Sequence, residues 1–467
     1  MFRLLAFHWL VFCSVSCFNF EARGAERPNF VVFVADDMAW DDCGAYGNAA
    51  IRTPNMDRLA AEGMRFDRAY LTCSSCSPSR CSMLTGRYPH STGAGELHLP
   101  LPGQQRMLTK PLMEAGYWTA AVGKWHLGNA VADQVNYRQG SKPAAMGKAW
   151  VKALKERPAE KPFFLWAAHS DPHRGYRPGA VNPPHDPGRV VVPPFFPDVS
   201  RVREDLALYY DEVSRFDEHI GMVLDELGVQ GLDENTFVLV ISDNGRPFPH
   251  CKTRVHVPGV RTPFIVRYPK QVAAGQVATH VVSTIDIAPT ILELAGIPPL
   301  ASFQGKSFVP MLSDPEVMIR KYAFAEHNWH DYRAFERAVH SEGFCYVRNW
   351  LPGIAGTPPA DAVNSPTYQV MIEMQKAGTL TLAQQGCFET PRAEEFLYDV
   401  VQDPHCLVNL ATLPQYSAQL QVMRDQLKLW QEQTEDEFPG EDRLTPDGFD
   451  RNTGKRLINA SHPSFIK

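Results

Sequence analysis

The stretch Asn29-Phe-Val-Val-Phe-Val-Ala35 is apolar without a break, which predicts a strand buried on both faces, as in a parallel sheet. Thr236 to Ser242 repeats the pattern, and Pro162 to Ala168 is a third such run. Gly116 to Val122 and Thr262 to Val266 read as two further strands. Helical signals fall between them. Thr53 is placed to cap a helix that Pro54 starts, with Leu59, Ala60 and Met64 on its apolar side. Val202 to Leu227 carries Leu206, Tyr209, Val213, Phe216, Ile220 and Leu224 near helical spacing. Ser283 to Gly296 reads as another helix. Strands alternating with helices predict an α/β fold with a mostly parallel sheet. Ligands of such sheets bind beyond the carboxyl ends of the strands.

After about residue 333 the pattern changes. Short strand-like pieces appear at Phe344 to Arg348 and Glu395 to Tyr398, a loop rich in Pro, Ala and Gly spans Leu351 to Ala362, and a helix is expected from about Ser417 to Glu435. The tail from Phe438 looks extended. The expected division is a main domain over 26–333 and a smaller α+β domain over 334–467. At the other end, Arg3 precedes a mostly apolar run from Leu4 to Phe18, followed by Ala22, Gly24 and Ala25. A basic start, a short apolar core and a small-residue exit predict a secretory signal peptide over 1–25. No other membrane segment is visible, so an exported protein is expected (periplasmic, secreted or in a lysosome-like lumen).

Composition narrows the classes. With 46 basic and 52 acidic residues the net charge is −6, which excludes a globally basic nucleic-acid binder. A polyanionic partner must then be met by a local basic pocket. Of the ten cysteines, Cys13 and Cys17 leave with the signal, and Cys73, Cys76 and Cys81 crowd together with no zinc-type spacing to complete a knuckle.

Polar residues recur where the strands should end: Asp36, Asp37, Lys124, His126, His169, His173, Asp243 and Asn244. One such residue is an ordinary turn former; several converging from separate strands are not. The segment Cys76-Ser-Pro-Ser-Arg80 admits two readings on physical grounds. One is a thiolate made reactive by Arg80 and a helix N-terminus. The other is a surface turn with a free cysteine.

This segment, with Leu84-Thr-Gly-Arg87 after it, resembles the signature of the sulfatase family, Cys-x-Pro-Ser-Arg followed by Leu-Thr-Gly-Arg. The other family elements follow in order. Asp36-Asp37 resembles the first metal pair and Lys124-Trp-His126 the active-site Lys-x-His. His173 falls at the histidine that reaches the sulfate, Asp243-Asn244 resembles the second metal pair, and Lys252 falls at a later basic position. Leu397-Tyr-Asp399, Asp403-Pro404 and Asn409-Leu410 resemble the family's C-terminal signature.

The resemblance implies an alkaline-phosphatase-like fold and the oxidation of Cys76 to Cα-formylglycine by a maturation enzyme. It also implies a divalent cation held by Asp36, Asp37, Asp243, Asn244 and position 76. An oxygen-only site of irregular geometry favours calcium, with magnesium the alternative. Arg80 and the cation would activate a hydroxyl of the hydrated aldehyde for attack on sulfur. Lys124, Lys252 and His173 would stabilise the sulfuryl oxygens. His173 or Lys252 would protonate the leaving atom, and His126 would take a proton as sulfate departs.

Within the family, Ser74 to Arg80, His169 to Arg174, Asp243 to Pro249 and Met423 to Trp430 look most like the sulfamidases, the heparan N-sulfatases. The expected substrate is N-sulfated glucosamine of heparan or heparin fragments. Two departures stand out: sulfamidases place Arg where this chain has Lys252, and the region between Gly128 and Lys161 is short. Glu96, His98 and the stretch Glu326 to His330 are candidate sugar contacts. An O-sulfatase, a phosphoesterase or phosphonate hydrolase, and a non-catalytic glycan-binding protein are the competing expectations.

Overall fold

The structure, a computed structural model, describes residues 27–465; the expected signal peptide lies outside them. The strands in chain order are β1 (Asn29–Ala35), β2 (Met64–Phe66), β3 (Ala69–Tyr70), β4 (Trp118–Gly123), β5 (Tyr137–Gln139), β6 (Phe163–Ala168) and β7 (Thr236–Ser242). They continue with β8 (Ile265–Arg267), β9 (Gln276–Ala278), β10 (Val282–Ser283), β11 (Ala323–His327), β12 (Glu336–His340), β13 (Phe344–Asn349) and β14 (Glu395–Asp399). Eight of them form the central sheet, in the order β5-β4-β6-β1-β7-β8-β2-β9. From β5 to β7 every pairing is parallel; β8 is antiparallel to both its neighbours, and β2 and β9 are parallel again. The fold is therefore α/β with a mostly parallel sheet, as expected.

The reason β1 is apolar at every position is visible in its packing. Phe30, Val32 and Val34 enter one core, while Val31, Phe33 and Ala35 enter the core on the opposite face. Side chains of a strand alternate between faces, so a strand covered on both sides has no polar position to spare. The long helix Ser200–Val229 covers the second face with Leu206, Val213, Phe216 and Ile220. The helix Ile287–Leu294 covers the first with Ile287, Ala288, Ile291 and Leu292.

Strands β11 to β14 form a separate antiparallel sheet in sequence order. Its two faces are also divided. Ala325, Ala338, Cys345 and Val347 join the core of the central sheet, while Val339, Tyr346 and Leu397 pack on Leu420, Met423, Leu427 and Trp430 of the helix Ser417–Thr434. The tail that looked extended in sequence folds back instead: His462 stacks on Trp329 with ring centroids 3.9 Å apart, and the Trp329 indole donates to the Pro446 carbonyl at 2.8 Å. Among the described residues no helix is long and apolar enough to cross a membrane.

Candidate active site

Four strand ends converge beside β1, which lies between β6 and β7. Asp36 and Asp37 follow β1, Lys124 follows β4, His173 lies in the loop after β6, and Asp243 and Asn244 follow β7. The backbone ties these loops together: the Asp36 amide donates to the Asp171 carbonyl at 2.8 Å and the Asp243 amide to that of Ala35 at 3.1 Å. Gly123 sits at φ 109°, and a Cβ there would lie 1.7 Å from the Ala168 carbonyl oxygen, so only glycine lets Lys124 start where it does.

Cys76 is the first residue of the helix Cys76–Thr85, so its side chain sits at the positive end of the helix dipole. Arg80 stands one turn later on the same side. The helix stops at Gly86, which adopts φ 61° and donates its amide to the Ser82 carbonyl. A Cβ there would come within 3.0 Å of the Phe303 ring. Gly86 of the Leu-Thr-Gly-Arg sequence thus ends the helix that presents Cys76 and Arg80. Cys76 is buried against Leu97 and Trp329, which removes the surface-turn reading. Burial pushes its thiol well above the ordinary value, although Lys124 and Lys252 pull the other way, so the reactive-thiolate reading is not supported either.

The charged groups interlock. Arg80 donates Nε to Asp243 Oδ2 at 2.8 Å and a terminal nitrogen to the Lys124 carbonyl at 2.9 Å. Lys124 Nζ reaches both Asp36 oxygens at 2.8 and 2.6 Å. Lys252 Nζ bridges Asp37 Oδ2 at 2.8 Å and Asp361 Oδ2 at 3.0 Å. His173 donates Nδ1 to the Arg174 carbonyl at 3.1 Å, which leaves Nε2 3.5 Å from Asp361 Oδ2 and 3.9 Å from Asp37 Oδ2. His126 Nε2 meets His98 Nδ1 at 2.7 Å. Burial, helped by Lys124, pushes the His126 imidazole down to about 2, so it stays neutral. Burial alone would raise the Asp36 carboxyl; Lys124 and the other cations outweigh it and hold that group well below its usual range. For Asp243, burial wins over Arg80, and the carboxyl is pushed up to about 6.

Asp36, Asp37, Cys76 and Asp243 each offer a donor atom within 4.8 Å of the others. The residues fit a hard cation. Asn244 donates its amide nitrogen to Asp37 Oδ1 and leaves its own Oδ1 buried with no partner. Turning the amide over would set its oxygen against the Asp37 carboxylate, an arrangement that holds only with a cation between them. Charge points the same way. Asp36, Asp37, Asp243 and Asp361 face three fixed cations, Arg80, Lys124 and Lys252, leaving −1. A divalent ion would reverse the sign.

All the sequence-predicted site residues except His169 lie in this pocket. His169 points into the core, donating Nε2 to His219 at 3.0 Å and accepting the Asp171 amide at 2.8 Å through Nδ1. The sugar-contact candidates divide. Glu96 and His98 lie at the pocket: the His98 amide donates to Ser77, and Glu96 accepts from Thr445 of the returning tail. Glu326 does not, because it is fully buried under His90 and Arg337. His330 is buried and bonded to Ser75 Oγ, next to Cys76 in the chain, at 2.7 Å, and His327 faces Glu336. Sequence reasoning missed Asp361, which stands alone in a Pro- and Ala-rich loop; its one sequence signal is an acid opening the short helix Ala360–Val363.

Comparison with known proteins places this geometry. A family model described as "Sulfatase" matches residues 28–297, and one described as "N-sulphoglucosamine sulphohydrolase, C-terminal" matches residues 250–348. The chain is 32% identical to human N-sulphoglucosamine sulphohydrolase over 90% of this chain and 93% of that protein. It is 29% identical to an ulvan-active sulfatase of Formosa agariphila, over 88% and 76% respectively. Among solved structures, one described as in complex with its substrate D-glucosamine-2-N,6-O-disulfate superposes with a TM-score of 0.68 at 20% identity, covering 90% of this chain and all of that one. The phosphonate monoester hydrolase of Agrobacterium radiobacter superposes at 0.66 with 18% identity, over 87% and 96%. At those identities the superpositions speak for the fold, which is the alkaline-phosphatase-like fold of sulfatases. With the family model spanning more than half its length, the chain belongs to the sulfatase family, the hydrolases of sulfate esters and sulfamates.

Proposed function

We propose that the protein removes the N-sulfate from glucosamine at the end of heparan or heparin fragments. The observation that carries the sulfatase chemistry is the placement of position 76, at a helix N-terminus between three buried carboxylates and three fixed cations. The 32% identity to the human N-sulphoglucosamine sulphohydrolase and the match of the C-terminal model support the N-sulfated substrate.

Asp36, Asp37, Asp243 and Asn244 would hold the divalent cation, calcium by preference and magnesium as the alternative. Bound together in the pocket, the cation and a formylglycine made from Cys76 supply charge neutralisation and a geminal-diol nucleophile whose second hydroxyl allows sulfate to be expelled. The remaining work falls to the chain. Arg80 is locked to Asp243 and the Lys124 carbonyl, so it orients position 76 without moving. Lys124 and Lys252 bring positive charge to the sulfuryl oxygens, where preorganised charge stabilises a transition state most. His173 Nε2, on an imidazole about one-third exposed, delivers a proton to the leaving atom, with Lys252 as the alternative donor. Neutral His126 accepts the proton released as sulfate leaves. With the cation in place the pocket is singly positive and matches a singly charged sulfate ester or sulfamate. An acidic protein thereby binds a polyanionic sugar at one local site.

The maturation enzyme that oxidises Cys76 and export behind the 1–25 signal belong to the same reading. Sulfate release from N-sulfoglucosamine, compared with 6-O-sulfated N-acetylglucosamine, tests it: release from the first is expected, and release from the second alone discards the N-sulfate substrate in favour of an O-sulfatase.

A further inference from the structure

Asp36, Asp37 and Asp243 have side chains no more than 1% exposed, whereas the Asp361 side chain is 25% exposed. Of the four pocket carboxylates it is the one open to an incoming sugar. It reaches the pocket from the connection between β13 and β14: the Ala360 amide donates to Asp331 Oδ2 at 2.9 Å and fixes the turn that presents it. Its Oδ2 lies against Lys252 Nζ and His173 Nε2, the two groups placed to protonate the leaving atom. Its Oδ1 is buried without a hydrogen-bond partner, so the part of the side chain open to the pocket lies on the Oδ2 side. A carboxylate oxygen offers about two acceptor positions, so beside its bond from Lys252 Oδ2 keeps one for an incoming donor.

The two substrate classes differ at the atom these groups surround. The bridging oxygen of a sulfate ester can only accept a hydrogen bond, and Lys252 and His173 suffice for it. The bridging nitrogen of a sulfamate carries a hydrogen and needs an acceptor as well. We infer that Asp361 is the specificity-determining residue that accepts this N–H, favouring a sulfamate and opposing an ester at the same position. The inference rests on the N-sulfate reading above. During cleavage the S–N bond breaks, its electron pair stays on nitrogen, and the proton comes from His173 or Lys252. The amine so formed takes a further proton from water and leaves as an ammonium, beside which the Asp361 charge is again favourable. At an ester oxygen the same charge faces lone pairs and repels them.

The test uses the mature, metal-loaded protein and two probes, N-sulfoglucosamine and 6-O-sulfated N-acetylglucosamine. Asp361→Asn and Asp361→Ala should each lower the ratio of kcat/KM for the N-sulfate over the O-sulfate by at least about tenfold, the scale of one lost charge-assisted hydrogen bond. If either probe turns over below detection, the ratio is read from the dissociation constants of the two sugars by calorimetry, with the same expectation. A ratio unchanged within threefold overturns the inference, whether both activities persist or both fall together, because Asp361 then only holds Lys252. Wild-type protein that binds N-sulfoglucosamine but releases no sulfate from it overturns the N-sulfate reading first, and this inference with it.

Discussion

Two regions of the molecule gather carboxylates and histidine within reach of a single cation, and they are built on opposite principles. In the pocket around Cys76, Asn244 Oδ1 and Asp361 Oδ1 have no partners and the fixed charges sum to −1. Beneath the antiparallel sheet, His90, Glu326 and Asp436 form a second such group. There Arg337 grips Asp436 with two bonds of 2.7 Å, Glu326 Oε1 accepts His90 at 2.9 Å, and Asn328 donates to Glu326 Oε2 at 2.9 Å. Every carboxylate oxygen of this second group has a partner. Donor identity and spacing alone make the two look alike. Unmet hydrogen-bonding capacity and unbalanced charge mark the first as a place where something must bind, and completeness marks the second as a joint between the sheet and the end of the helix Ser417–Thr434.

The largest expected effects fall on different quantities in the two regions. Cys76→Ala should lower kcat for sulfate release by about 10⁴-fold or more, as loss of a nucleophile does, while the urea unfolding midpoint hardly moves. Arg337→Met should do the reverse. It leaves Asp436 and Glu326 buried without their cation, costing about 3–5 kcal/mol in unfolding free energy, with kcat of the folded protein retained. A large loss of stability in Cys76→Ala would put the two regions in one class.

Metal linkage sharpens the contrast at a middle scale. Calcium at about a hundredfold over its Kd should stabilise the chelator-treated protein by about 2.7 kcal/mol, seen as a rise in Tm. Asn244→Ala should abolish most of that rise, and His90→Ala should leave it intact. A rise lost in His90→Ala and kept in Asn244→Ala would place the ion in the wrong cluster.

The smallest effect concerns His169, the strand-end residue that turned inward. Burial, helped by Arg215, pushes its imidazole down to about 3, below the roughly 6.5 of an unfolded histidine. The unfolded chain therefore binds the extra proton as pH falls. The contribution of His169 is present above about pH 6.5 and is lost as pH drops from there toward 3. His169→Asn can still accept the Asp171 amide, and its unfolding free energy should fall less between pH 7.5 and 5 than that of the wild type. An identical slope in the two proteins removes His169 as a source of acid sensitivity.

What could be read in advance follows from how locally each feature is determined. Strands β1 and β7 appear with the bounds expected, because a strand buried on both faces writes itself as an apolar run. Strands β2, β5 and β9 are three residues long and too short to show any period. Thr53 precedes its helix as expected, yet its hydroxyl meets Asp57 and the Gly44 amide instead of capping the helix. The residues proposed to hold the cation and to supply the nucleophile were legible because each stands at a strand end or helix start inside a short motif. Asp361 was not: it meets Lys252 across a sequence separation of 109, and nothing near it in sequence says so. The tail was misjudged for the same reason, since the stack of His462 on Trp329 is a tertiary contact with no local period.

The central claim is that the pocket is built around a residue that ceases to be cysteine. Mass spectrometry of the proteolytic peptide containing position 76, from active protein made in its own host, tests it most directly. The expected peptide carries an aldehyde or its hydrate at position 76. A fully active preparation in which that peptide has the mass of the unmodified thiol would contradict the account.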